Sequence, residues 1–224
     1  MQQAKIFLAE ERGITETESF RSYNTFNLGS SYNEYKTPVE RLYVCNDDTL
    51  AGRKRFSLTV EAATQLILLP VVGAVEFVKN NEAVLLIHAG EIFTAALNEG
   101  DVFEIINPYE KELVNFLQFW LYADAPNESI SQLYTFNIDE SKNSLVQLPL
   151  VQAACIAKLG GRKEITCTPI KENSCVFAFA IQGAFETEGI LMHPRDGAAF
   201  WNYKQIEMEA LSNDAIIFLL EVLH

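Results

Sequence analysis

Side chains suited to chemistry are few in this 224-residue chain, which has three histidines and four cysteines. An imidazole metal site needs histidines at a spacing that turns them to one side, such as i and i+2 on a strand. His88, His193 and His224 are far apart in sequence, and no His-x-His pair occurs. His88 reads as a rim residue at a strand end, and His193-Pro194-Arg195 reads as a turn. Cys45, Cys155, Cys167 and Cys175 include no Cys-x-x-Cys pair and sit among apolar residues. They read as buried strand thiols of a reducing compartment, with a Cys167–Cys175 disulfide across a hairpin as the alternative. Gly-x-Ser-x-Gly elbows and phosphate loops are missing, and Gly160-Gly161-Arg162-Lys163 reads as a basic hairpin turn.

Whatever these side chains do, strands must position them. Short runs rich in Val, Ile, Phe and Tyr recur, separated by Gly, Asn, Asp and Pro. They predict strands over 5–9, 41–45, 56–60, 65–72, 74–78, 82–88, 92–96, 101–106 and 113–122. A second set covers 145–148, 153–158, 163–169, 175–182, 185–188, 198–201, 206–211 and 215–223. This is an all-β pattern. The chain also looks duplicated. Val71-Val72-Gly73-Ala74-Val75-Glu76-Phe77 parallels Ile181-Gln182-Gly183-Ala184-Phe185-Glu186-Thr187, and the turns at Ala89-Gly90-Glu91 and Arg195-Asp196-Gly197 follow. Between the copies lies a polar stretch with Pro126, Asn127, Glu128 and Asp139-Glu140-Ser141-Lys142-Asn143. The expected organisation is an N-terminal domain over 1–125, a junction over 126–149 and a C-terminal domain over 150–224. The junction segment, and an N-terminal strand, would complete the C-terminal domain.

Composition narrows the partners. Lys+Arg number 17 and Asp+Glu 30, a formal charge of -13, so there is no basic stripe to neutralise nucleic-acid phosphates or meet an anionic membrane. Hydrophobic residues at 49% suffice for a large core. The most apolar run, 66–78, is broken by Pro70, Gly73 and Glu76 and is shorter than the ~20 residues of a spanning helix. No secretory leader is read at the N-terminus. The expected setting is cytoplasmic, with a small-molecule ligand or a basic protein as partner.

Several motifs together resemble the pirin family of bicupins. Glu11-Arg12-Gly13 and the stretch from Phe20 to Gly29 are similar to the family's opening, with Asn24 where the family has His. Leu42-Tyr43-Val44-Cys45-Asn46-Asp47-Asp48 is similar to its Leu-Arg-Val-x-Asn-Glu-Asp strand and turn. Phe116-Leu117-Gln118-Phe119-Trp120 is similar to its Phe-Leu-Gln-Ile-Trp strand. The resemblance implies two antiparallel β-barrels of the jelly-roll, cupin type. It also implies a metal, usually iron, in the N-terminal barrel, and for some members quercetin dioxygenase activity.

Read across residue by residue, the family's ligand positions fall on Thr59, Glu61, Phe103 and Ile105, and its nearby acid falls on Gln65. Asn107 closes the motif in common with the family. None of the four ligands is retained, and Phe103 and Ile105 would fill the former metal volume with hydrocarbon. The implied protein is a metal-free pirin-like cupin with no cofactor and no dioxygenase activity, acting as a small-molecule-binding or protein-interaction module. Glu61 with Thr59 and Gln65 would form a carboxylate-bearing barrel mouth. The alternatives are a metal-independent enzyme rebuilt around Glu61, Gln65 and Gln118, and a quercetin 2,3-dioxygenase-like oxygenase.

Overall fold

Alternation of apolar and polar residues turns one face of a strand to a core and the other to water. Val102-Phe103-Glu104-Ile105 shows this period, with Phe103 and Ile105 fully buried and Val102 40% exposed. Ile206-Glu207-Met208-Glu209-Ala210 repeats it, with Glu207 exposed between buried Ile206 and Met208. In the computed structural model, which describes residues 1–27, 33–124, 131–150, 152–171 and 174–223, such segments pair into four antiparallel sheets. Leu28 and Gly29 of the opening motif, residues 126–128 of the junction and His224 lie outside the described residues.

The strands in chain order are β1 (Gln3–Phe7), β2 (Gly13–Glu16), β3 (Phe20–Asn24), β4 (Leu42–Leu50), β5 (Arg55–Thr59), β6 (Thr64–Val72) and β7 (Ala74–Lys79). Next come β8 (Leu85–His88), β9 (Glu91–Leu97), β10 (Val102–Ile106), β11 (Val114–Tyr122), β12 (Gln132–Thr135), β13 (Leu145–Leu148) and β14 (Ala154–Leu159). The last are β15 (Glu164–Cys167), β16 (Cys175–Gln182), β17 (Phe185–Thr187), β18 (Ile190–Met192), β19 (Gly197–Trp201), β20 (Ile206–Ala210) and β21 (Ala215–Val222).

Two compact units result. The N-terminal unit is Gly13–Asn33 with Arg41–Thr135, and the C-terminal unit is Met1–Arg12, Glu34–Glu40 and Phe136–His224. The first twelve residues belong to the C-terminal unit, where β1 pairs along its whole length with β19. The N-terminal unit holds a seven-stranded sheet, β12-β9-β6-β11-β4-β3-β2, and a four-stranded sheet, β5-β10-β7-β8. The C-terminal unit holds a six-stranded sheet, β1-β19-β16-β21-β14-β13, and a four-stranded sheet, β15-β20-β17-β18.

The fold is all-β and bicupin, as the sequence implies, but neither unit closes into a barrel. Each is an open jelly-roll sandwich of two sheets. The duplication is real at the level of topology. Gly73 and Gly183, with φ of +81° and +73°, make the same tight turn from β6 to β7 and from β16 to β17. Both positions need the left-handed backbone that glycine adopts without strain. The turns before β9 and β19 also use positive φ, at Gly90 and Arg195.

One strand departs from the sequence reading in a way that matters below. β4 does not end at Cys45 in a turn. It runs on to Leu50, so Asn46, Asp47 and Asp48 lie within a strand and the two aspartates are buried. Strands β2, β3, β12 and β18 are also absent from the sequence-based set; each is only three to five residues long. No helix among the described residues is long and apolar enough to cross a membrane.

Candidate functional site

The four positions read as ligand sites do not converge. Phe103 and Ile105 stand on β10 opposite Leu58 and Phe56 of β5, all turned into the N-terminal sandwich. Phe103 stacks against Phe77 at 5.6 Å between ring centroids and lies 5.5 Å from the Trp120 ring. Phe93 completes the group, 4.8 Å from Phe77. Glu104 points the other way and meets Arg55 at 3.4 Å, so the register that would turn Glu104 inward is excluded.

Thr59 and Glu61 do not enter the interior, contrary to the expectation that residues i and i+2 would both do so. Thr59 is the last residue of β5 and opposes Val102, on the outer face. Glu61 lies beyond the strand end, where period two no longer holds, and both residues are exposed. Val60 is turned inward instead, at 1% exposure. Its N–H donates to the Asp101 carbonyl at 2.9 Å, and its own carbonyl accepts from Gly100 N–H at 2.8 Å.

Gln65 and Gln118 are both buried but on opposite faces of one sheet. Gln118 shares the inner face of β11 with Phe116 and Trp120, whereas Gln65 alternates with inward Leu66 on β6 and donates to the Thr94 hydroxyl. The pocket predicted from Glu61, Gln65 and Gln118 is therefore not formed. His88 and His193 are exposed; their backbone N–H groups donate to Glu91 and Asp196 at 2.8 and 2.7 Å.

A different polar constellation sits inside the N-terminal sandwich. Ser22 and Asn24 on β3, Asn46 and Asp48 on β4, and Gln118 on β11 share the inner face with Leu50 and Val44. Asn24 Nδ2 donates to Ser22 Oγ and to Asn46 Oδ1, both at 2.9 Å. Trp120 Nε1 donates to Gln118 Oε1 at 3.1 Å, and Gln118 Nε2 donates to Asp48 Oδ2 at 2.5 Å. Buried polar groups persist only when hydrogen-bonded in this way. Burial pushes the Asp48 carboxyl up from 3.8 to about 7, while the Ser22 and Gln118 hydrogen bonds pull against that shift and the nearby Asp47 adds to it. Asp48 Oδ1 has no hydrogen-bond partner among the described residues. The sequence held one signal for this layer, the alternation of Asn46 and Asp48 with Val44 and Leu50.

At the edge of the same unit Tyr43 stacks on Tyr122 with ring centroids 4.0 Å apart, and its hydroxyl meets Thr64 Oγ1 at 2.5 Å. Burial raises the Tyr43 pKa, against the Thr64 hydrogen bond, with smaller contributions from Tyr122 and Glu61.

The C-terminal sandwich differs. A pocket of about 260 Å³ is lined by Leu148, Leu150, Ile170 and Leu223, with Gln147, Lys171 and Glu221 as polar groups. The Glu221 carboxylate accepts the backbone N–H of Ile170 at 2.9 Å and of Lys171 at 2.7 Å, which fixes the loop after β15. A smaller cavity of about 30 Å³ adjoins it and is lined by Cys155 and Cys167. Neither feature was anticipated, because the lining residues come from four separated segments. On the outer face of the four-stranded sheet, a groove of about 420 Å³ carries Glu164, Glu209 and Glu186 in one cross-strand row. Arg162 meets Glu209 there at 3.0 Å.

Comparison with known proteins agrees with this architecture. Residues 146–222 match the family described as the quercetinase C-terminal cupin domain. No curated protein matches the chain in sequence. Among solved structures, YhhW from Escherichia coli aligns with a TM-score of 0.88 at 17% identity, covering 99% of this chain and 98% of that one. Bacterial pirin YhhW in complex with nickel(II), also from Escherichia coli, aligns with a TM-score of 0.82 at 18% identity, covering 98% and 99%. Quercetin 2,3-dioxygenase from Acinetobacter baumannii aligns with a TM-score of 0.73 at 11% identity, covering 98% and 87%. The chain has a bicupin fold throughout. Its C-terminal domain matches the quercetinase cupin family, and its fold as a whole is similar to that of bacterial pirin.

Proposed function

We propose that this chain is a metal-independent pirin-like bicupin that binds a small molecule, in the cytoplasm, and does not carry out dioxygenation. The observation that carries the reading is the burial of Phe103 and Ile105, at 0% exposure, inside the aromatic core of the N-terminal sandwich. Iron, nickel and manganese need nitrogen, oxygen or sulfur donors converging on one point. At the four family positions this chain offers two hydrocarbon side chains facing inward, and a hydroxyl and a carboxylate facing out. The residues do not fit a metal of the pirin type. Among the described residues, no group of three or more His, Cys, Asp or Glu is disposed to hold a metal ion.

Binding is supported by the C-terminal pocket, which combines an apolar lining with a few fixed polar groups, as small-molecule sites do. The dioxygenase reading rests on a family match confined to residues 146–222 and on structural relatives at low identity, and fold alone does not carry activity. The rebuilt-enzyme reading has lost its basis, since Glu61, Gln65 and Gln118 face three different ways.

The test is metal loading. Purified protein is equilibrated with iron(II) or nickel(II), desalted, analysed for metal and then mixed with quercetin in air while oxygen is followed. Far less than one metal per chain and no oxygen uptake are expected. Stoichiometric metal together with oxygen consumption would overturn the proposal.

A further inference from the structure

Two cysteines far from the family's metal motif have been brought together by the fold. Cys155 is on β14 of the six-stranded sheet and Cys167 is on β15 of the facing four-stranded sheet. Both turn into the interior of the C-terminal sandwich, alongside Val176 and Leu219. Both line the same cavity of about 30 Å³, at 4% and 9% exposure. Each thiol lies close enough to the other to perturb its ionisation. Cys175 is not part of this pair. It neighbours inward-facing Val176 on β16 and so turns to the opposite face of the sheet, which corrects the expected Cys167–Cys175 alternative.

We infer that Cys155 and Cys167 are a redox dithiol that closes to a disulfide when a peroxide enters the mouth of the C-terminal sandwich. The Cys167 sulfur attacks one peroxide oxygen, breaking the O–O bond and leaving a sulfenic acid. The departing oxygen takes the thiol proton and leaves as water when the oxidant is hydrogen peroxide. The Cys155 sulfur then attacks the sulfenic sulfur, and its proton leaves with the hydroxyl as a second water. In sum two thiols lose two hydrogens and two electrons, and one peroxide becomes two waters. A dithiol reductant reverses the change by thiol–disulfide exchange.

The surroundings favour Cys167 as the sulfur that reacts first. Interaction with the Cys155 thiol lowers its pKa, outweighing burial and the Glu221 charge. The thiolate is the reactive form. The same interaction, followed by burial, raises Cys155, which suits it to resolve the sulfenic acid and not to react first. Glu221 anchors Ile170 and Lys171 close beyond Cys167, so the second sulfur is held near the first.

The experiment uses the intact, fully reduced protein. It is treated with hydrogen peroxide, alkylated in denaturant and analysed by intact and peptide mass. Two of the four cysteines should escape alkylation, the protein should be lighter by two hydrogens, and the peptides holding Cys155 and Cys167 should be joined. Dithiothreitol should restore four alkylated thiols. The oxidised form should melt a few degrees higher, because the bond constrains the unfolded chain. Four alkylatable thiols after treatment, a bond involving Cys45 or Cys175, or added oxygen at Cys167 without a bridge would each overturn the inference. A Cys155→Ser variant should leave Cys167 trappable by dimedone as a sulfenic acid, and failure of that trapping in a folded variant would count equally against it.

Discussion

β4 and β14 occupy matching places in the two sandwiches, each beside a long strand of its sheet, β11 and β21. Their inward residues are nevertheless of different kinds. β4 presents Asn46 and Asp48, which with Gln118, Asn24 and Ser22 build a buried polar layer. β14 presents Cys155, Ala157 and Leu159 to an apolar interior. The facing sheets differ as well. The N-terminal interior is packed with the rings of Phe77, Phe93, Phe103 and Phe116, whereas its C-terminal counterpart sets Phe185 and Phe200 among alanines, methionines and thiols and keeps a cavity at its mouth. One topology thus supports a sandwich rich in aromatic rings with a carboxyl locked inside and another whose smaller interior side chains leave a cavity lined by two thiols. Topology sets where interior positions are, and side-chain volume and polarity decide whether any of them can meet a ligand.

Each unit carries one of the two tryptophans, Trp120 and Trp201, so single-tryptophan variants report the two sandwiches separately. The largest expected effect is Phe103→Ala, which should cost about 3–5 kcal/mol in urea unfolding followed through Trp120. Met208→Ala, followed through Trp201, should cost about 2–5 kcal/mol. Equal and small losses at both would mean that the N-terminal sandwich is not the more tightly filled of the two.

Next in size is a pH effect confined to the N-terminal unit. Burial raises Asp48 from 3.8 to about 7, so the folded protein holds this proton more tightly than the unfolded chain does. Its contribution to stability is full below pH ~4 and is lost as pH rises from about 4 to about 7. The size is on the order of 4 kcal/mol. Asp48→Asn should flatten that slope in the Trp120 signal. The Trp201 signal lacks a matching term, since Ala157 on β14 cannot ionise. A wild-type slope that persists in Asp48→Asn would assign the proton elsewhere.

Glu221→Gln should weaken the hold on Ile170 and Lys171 at the C-terminal mouth. A loss of about 1.5–3 kcal/mol is expected, with faster amide exchange at those two residues, whose N–H groups the carboxylate binds. Unchanged exchange there would show that the loop is held by other contacts. The smallest effect is Thr59→Ala, within about 0.5 kcal/mol, because Thr59 is exposed on the outer face. Thr59 and Phe103 are both read from the sequence as ligand positions, so their contrast measures how far the two lie from a shared site. A loss above about 2 kcal/mol at Thr59 would mean that it packs inward in solution.

Much of this was legible in the residues. Period two along β10 put Phe103 and Ile105 on one face, and the Gly-Ala repeats at Gly73 and Gly183 marked the same turn in both units. Reading failed where a strand stopped. Thr59 and Glu61 are two apart, but β5 ends at Thr59, and Val60 takes the interior position. It failed again at Asn46-Asp47-Asp48, which the family resemblance placed in a turn and cross-strand pairing keeps in a strand.

The sequence by itself determined the all-β class and the duplicated frame, because each follows from residue type and local period. Only the tertiary structure decided which polar groups meet. Gln65 and Gln118, both buried glutamines, lie on opposite faces of one sheet, while Cys155 and Cys167 line one small cavity from separate sheets. Local sequence carries the direction of a side chain along its own strand. Which strand lies across the core is set by the packing of whole sheets, and no short stretch of residues records it.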